Sequence, residues 1–258
     1  MALNTSARLR TLPFELHSEL VEAASNHGYR GIRGESDGWL FFASQEGVPG
    51  EVALAVGDGG GAWFLGVEHA GVAAELAAPP AEPAPGNCRA AFAFATQSEM
   101  RAALHRAYQL AISLPSLPLA RFEEEVAQLG DTEIARITRQ RVGQDIFRSA
   151  LMRYWPAGCP LTGITDPALL RASHIVPWAE CDSDAERLDV HNGLLLSSLW
   201  DAAFDEGRVS FTDDGHVLAA PALDERARVA LSIDAVPALS LTEGHRRRLA
   251  WHRTRNGF

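Results

Sequence analysis

Apolar residues set the first readable pattern of the chain. Phe14, Leu16, Leu20, Val21 and Ala24 recur near the helical period, which predicts a helix over residues 13–28 with Gly28 as its stop. Two short apolar runs follow, Trp39 to Ala43 and Glu51 to Val56. A third, Ala62 to Val67, comes after a Gly59-Gly60-Gly61 turn. All three read as strands bounded by turn signals. Residues 77–86 are rich in Pro and Ala and read as an exposed loop, and Ala90 to Ala95 as one more strand. Helices are predicted over Gln97 to Ser113 and Leu119 to Leu129. The first half is therefore expected to be a small α+β domain.

From Asp131 onward the pattern changes. Thr132 to Tyr154 predicts one long helix or two, with Ile134, Ile137, Val142, Ile146 and Phe147 as core candidates. Gly158 to Gly163 is a turn. Leu169 to Ile175 and Gly193 to Leu196 are short strands on either side of a polar loop at residues 182–191. Ser198 to Phe204 is a helix. Val209 to Phe211 and His216 to Leu218 flank Asp213-Asp214-Gly215 as a hairpin. Thr242 to Arg255 is a C-terminal helix with Thr242 at its N-cap.

Composition narrows the class. The 258 residues are 47% apolar and 22% charged, an ordinary balance for a globular protein that buries its own core. No apolar run reaches the roughly 20 residues of a membrane span, so no membrane partner is expected. The opening Met-Ala-Leu-Asn-Thr-Ser-Ala-Arg lacks the pattern of a secretory signal, and a cytoplasmic location is the expectation. Cys88, Cys159 and Cys181 are far apart with no Cys-x-x-Cys pair, which argues against a disulfide framework and against structural zinc.

The net charge of −10 weighs against non-specific nucleic-acid binding, but it does not say where the charge sits. All 23 basic residues are arginine. They cluster at residues 136–153 and 246–255, whereas acid gathers at residues 123–125 and 182–189.

The chemistry-bearing residues lie in the second half. Ser173-His174-Ile175-Val176-Pro177-Trp178 ends the first short strand. Asn192-Gly193-Leu194 opens the second. Asp201 and Asp205 lie four apart on the following helix and so share one of its faces. Histidine, asparagine and paired carboxylates on a strand–loop–strand–helix unit resemble the ββα-metal finger of HNH endonucleases. The branch resembled has no zinc-binding cysteines. Arg141-Val-Gly-Gln-x-x-Phe-Arg148, Cys159-Pro-Leu-Thr-Gly163, Ala172-Ser-His-Ile-Val-Pro-Trp178, Asn192-Gly-Leu-Leu-Leu196 and Phe204-Asp-Glu-Gly207 carry the resemblance, in order, over residues 141–214.

The resemblance implies a metal-dependent DNA endonuclease. His174 would be the general base that takes a proton from the attacking water, a role suited to an imidazole with an ordinary pKa of about 6.5. Asn192 would pin the loop between the strands and orient His174, completing the catalytic pair. Asp201, at the position of the family's third letter, Asp205 and Ser173 would be the metal ligands. Oxygen donors favour Mg²⁺ or Mn²⁺. Two positions depart from the common pattern: Ser173 stands where many members have Asp or His, and Asp201 where they have His or Asn. Both leave the base intact. Arg171, on the strand face of Ser173 by period-two alternation, and Arg246, Arg247 and Arg248 of the C-terminal helix are the expected phosphate contacts.

The expected organisation is a 1–125 domain that chooses the target or senses a signal, followed by a 130–258 HNH nuclease domain with an Arg-rich C-terminal helix. Restriction of foreign or modified DNA is the expected setting. A homodimer is compatible with double-strand cutting, though no dimer seam is legible. The competing reading is an HNH scaffold that binds nucleic acid or a protein without cutting, and a metal-free hydrolase of small substrates ranks last.

Overall fold

The computed structural model describes residues 11–58, 61–156 and 158–258. Residues 1–10, whose sequence lacks the pattern of a secretory signal, Gly59 and Gly60, which are most of the Gly-rich turn considered above, and Ala157 lie outside the described residues. The chain divides into two compact units, Met1–Leu117 and Pro118–Phe258.

The first unit is built on six antiparallel strands. Helix α1 (Phe14–Asn26) buries Leu20, Ala23 and Ala24. Strands β1 (Gly31–Ser36), β2 (Trp39–Ala43), β3 (Val52–Val56) and β4 (Trp63–Val67) form a meander. Short helix α2 (Ala70–Glu75), β5 (Pro80–Ala81) and β6 (Ala90–Phe94) complete the sheet in the order β1-β2-β3-β4-β6-β5. All five residues of β3 are buried, as expected of a strand covered on both faces. Ala53 and Ala55 pack on one face with Trp39, Phe64, Ala91 and Ala93, alongside Ala84 of the Pro-rich segment and Cys88 just after it. That segment is therefore not the free loop expected: Ala81 is buried and pairs with Ala91. Helix α3 (Gln97–Ser113) begins with a capping box between Thr96 and Glu99. Strand β1 escapes the sequence pattern because it is an exposed edge, with a register shift between Ile32 and Gly34.

Helix α4 (Ser116–Val126) leads into α5 (Glu133–Tyr154), a single helix capped by the Thr132 hydroxyl, which accepts from Ala135 N–H at 3.1 Å. Its core face is Gly143, Phe147, Ala150, Leu151 and Tyr154. Ile134 and Ile137, expected in the core, are exposed, because the start of α5 turns Ala135 rather than these two residues inward.

A 3₁₀ turn at Pro167–Leu169 delivers the chain to β7 (Leu170–His174), and β8 (Gly193–Ser197) pairs with it antiparallel from Leu170↔Ser197 to His174↔Gly193. Between them runs a loop with the short helix α6 (Asp184–Arg187). Helix α7 (Ser198–Asp205) follows β8 directly, so β7, β8 and α7 form a ββα finger. A hairpin of β9 (Val209–Phe211) and β10 (Val217–Ala219), helix α8 (Glu225–Leu231) and helix α9 (Glu243–Asn256) close the unit. Leu194, Leu195, Leu196, Trp200, Phe204, Phe211 and Leu249 are fully buried around the finger. Burial of each such side chain is worth about 1.5–3 kcal/mol.

Candidate active site

His174 is the last residue of β7, and its ring is built into a three-sided mount. Beneath it the Phe147 ring lies stacked, with centroids 3.8 Å apart and planes at 19°. Gly193 permits this contact: a Cβ there would fall 2.5 Å from Phe147 Cζ and 2.7 Å from Leu151 Cδ1. Trp178 meets the imidazole edge-on at 5.8 Å. Gly143 on α5 makes room for that indole, since a Cβ there would stand 2.2 Å from Trp178 Cη2. Arg148 donates to the carbonyls of Leu170 at 2.9 Å and Pro167 at 2.6 Å, tying α5 to the start of β7. The Arg-Val-Gly-Gln-x-x-Phe-Arg segment is thus the cradle of the histidine.

The third side of the mount is polar. Nε2 of His174 lies 2.9 Å from the carbonyl oxygen of Arg187. A carbonyl can only accept, so Nε2 carries the proton and Nδ1 keeps the lone pair. Burial holds the imidazole below its ordinary pKa, and the bond to Arg187 only partly offsets that effect. The ring is therefore neutral at neutral pH, as a general base must be.

Asn192 does not touch the open site; it is fully buried. Its side-chain oxygen accepts from Val176 N–H at 2.8 Å, and its amide donates to Val176 O at 3.1 Å. The backbone N–H of Ile175 donates to Asn192 O at 2.9 Å. This amide fixes the chain leaving His174, the loop-pinning geometry that the resemblance implies for it.

His174, Ser173, Asp201 and Asp205 line one cleft of about 330 Å³. Ser173, expected as a metal ligand, is buried and donates its hydroxyl to Asp201 Oδ1, which orients that carboxylate. Asp205 is pushed up to about 6, first by desolvation in the cleft and then by the charges of Asp201 and Glu206.

The expected arginine contacts are redistributed. Arg171 is exposed, does not line the cleft, and donates to the carbonyls of Ala168 and Leu170 at 3.0 and 2.9 Å. Arg246 donates to Asp213 O at 3.1 Å, and Arg248 is held by Asp189 at 2.7 Å. Arg247 lines a neighbouring hollow. The arginine that reaches the cleft is Arg255, accompanied by Trp251, His252 and Asn256 of α9 and Gln144 of α5. Sequence reasoning flagged the terminal arginine cluster but did not single out Arg255. Its four-residue spacing from Trp251 was the available signal. His252 is no second base, because its Nδ1 and Nε2 are engaged by Ser210 Oγ at 3.0 Å and Phe204 O at 3.2 Å.

Residues 159–212 match the family model of the HNH endonucleases. The matched segment contains both strands of the finger, the loop that holds Arg187 and Asn192, and all of α7. The resemblance read from the motifs therefore holds over the finger. Domains of this family are in general nucleases that act on nucleic acid with divalent metal ions. No curated protein matches the chain.

Proposed function

We propose that the cleft hydrolyses phosphodiester bonds of DNA, with His174 as general base. The observation that carries this reading is the meeting of a neutral imidazole of fixed tautomer with two aspartates in one cleft. Nδ1 of His174 accepts a proton from water as the water oxygen bonds to phosphorus. The P–O3′ bond then breaks, and the departing 3′-oxygen takes a proton from solvent.

Asp201 and Asp205 would hold the divalent cation. Asp205 is raised first by burial and then by the charges of Asp201 and Glu206, and a cation relieves that crowding of charge. Among the described residues no group of three or more His, Cys, Asp or Glu could hold an ion unaided. A Mg²⁺-like ion binds through one or two carboxylates and completes its shell with waters and substrate phosphate. Bound there, the ion supplies neutralisation of the charge that builds on the phosphorus oxygens and the leaving group. Restriction of foreign or modified DNA is the setting we propose, with the Met1–Leu117 unit as the module that selects the target or senses a signal.

The replacement of an acid by Ser173 favours a second reading, a finger that binds without cutting. Incubating supercoiled plasmid with the full chain and Mn²⁺ separates the two. Cleavage that His174→Ala lowers by roughly 10²–10⁴-fold supports the nuclease. Binding without cleavage under Mg²⁺ or Mn²⁺ overturns it.

A further inference from the structure

We propose that one face of α9, carrying Arg247, Trp251 and Arg255, is the track on which the sugar–phosphate backbone of the bound nucleic acid continues beyond the cleft. The proposal rests on the nuclease reading above and specifies where its substrate lies.

The three residues are spaced by four, so they lie in one row on the helix. Arg255 lines the cleft of His174. Arg247 lines a second hollow of about 310 Å³. Trp251 lines both, so the row joins them. The guanidinium carbon of Arg255 lies 5.2 Å from the Trp251 ring.

The other arginines of α9 are committed to their own unit. Arg246 holds the Asp213 carbonyl, Arg248 holds Asp189, and Arg253 holds Phe211 O and Asp213 at 2.7 Å each. On the proposed row, Arg247 is exposed and has no hydrogen bond or ion pair among the described residues. Arg255 is paired with Glu180, but both side chains are well exposed, 51% and 37%. Such a pair is weak and readily exchanged. A phosphate arriving at the cleft competes directly with Glu180 for Arg255, and a guanidinium binds phosphate in the same forked geometry as carboxylate.

Glu180, Asp182 and Glu186 line the hollow opposite Arg247. The Glu186 carboxylate accepts from Asp182 N–H at 2.9 Å and is spent within its loop. Glu180 is the acid that an incoming backbone must displace, so it lowers the affinity for nucleic acid.

The test uses the full chain carrying His174→Ala, a labelled mixed-sequence duplex, and binding measured across a salt series. Arg247→Gln and Arg255→Gln should each flatten the slope of log affinity against log salt by about 0.9. Arg226→Gln, which removes an equally exposed charge from α8, should leave the slope unchanged. Glu180→Gln should tighten binding severalfold. Slopes unmoved by Arg247→Gln and Arg255→Gln, weaker binding by Glu180→Gln, or no duplex binding at all would overturn the track. Plasmid cleavage by the wild-type chain and by His174→Ala, run in parallel, reports on the nuclease reading. Histidine-dependent cutting with unmoved slopes removes the track alone, and moved slopes without cutting remove the nuclease alone.

Discussion

The carbonyl of Arg187 that accepts from Nε2 of His174 belongs to a residue whose side chain ties down the same loop. The Arg187 guanidinium donates to Trp178 O at 3.0 Å, Cys181 O at 2.7 Å and Asp184 Oδ1 at 2.9 Å. Its carbon also sits 5.7 Å from the Trp178 ring, which in turn walls the imidazole. One residue therefore sets both the tautomer of the base and the indole beside it.

Arg187→Gln should lower kcat roughly 10- to 100-fold with a smaller change in KM, because it misplaces the base without touching the substrate. Nitrogen chemical shifts of His174 should report loss of a single tautomer. A purely structural role would lower the melting temperature and leave the tautomer and the kcat of the folded fraction unchanged.

Asn192→Ala should cost about 1–3 kcal/mol of stability, since it strands the buried N–H of Val176 without an acceptor. Urea unfolding followed by tryptophan fluorescence measures it. A midpoint equal to that of the wild type would contradict the loop-pinning role.

Gly143→Ala should destabilise by about 1–3 kcal/mol through overpacking, because the new methyl falls on Trp178. The displaced indole should loosen its hold on His174, so cleavage should fall together with stability. Ala substitution at exposed Ser149 on the same helix should change neither.

Acid should weaken activity, and it should remove the contribution of two buried histidines to the fold, a loss that the raised Asp205 opposes. Burial lowers the pKa of His174 and of His252 below 6.5, so these two groups bind protons less readily in the folded chain than in the unfolded chain. Their contribution is complete above the unfolded value and is lost as pH falls from about 6.5 toward the lowered folded values. Asp205, raised to about 6, must also lose its proton to hold a cation. Cleavage at fixed Mn²⁺ should therefore decline below about pH 6. A rate that stays flat from about pH 5 to pH 8 would contradict these assignments.

Much of the finger was legible because its pattern is local. Helix α7, strands β7 and β8, and the Thr242 cap fall where periodicity and cap residues put them. What stayed hidden depends on tertiary contacts. The bond from the Ser173 hydroxyl to Asp201 has no trace in the sequence, because the two residues stand 28 positions apart. Arg246, Arg247 and Arg248 read alike as a charge run, but helical rotation sends the first and third to Asp213 and Asp189. Arg187 carried no signal, because its backbone oxygen fixes the tautomer of His174 and its guanidinium acts through contacts that only the folded loop brings together. Gly143 and Gly193 were visible as motif letters, yet their reason, room for Trp178 and Phe147, appears only in three dimensions.

The most direct test is plasmid nicking titrated with Mn²⁺ for the wild-type chain, His174→Ala and Asp201→Ala. The expected result is metal-dependent nicking by the wild type, a rate for His174→Ala that no Mn²⁺ concentration restores, and a requirement for more Mn²⁺ by Asp201→Ala. Equal nicking by all three proteins, or nicking that survives removal of the metal by EDTA, would contradict a site in which one imidazole and its neighbouring aspartates act on the same phosphate.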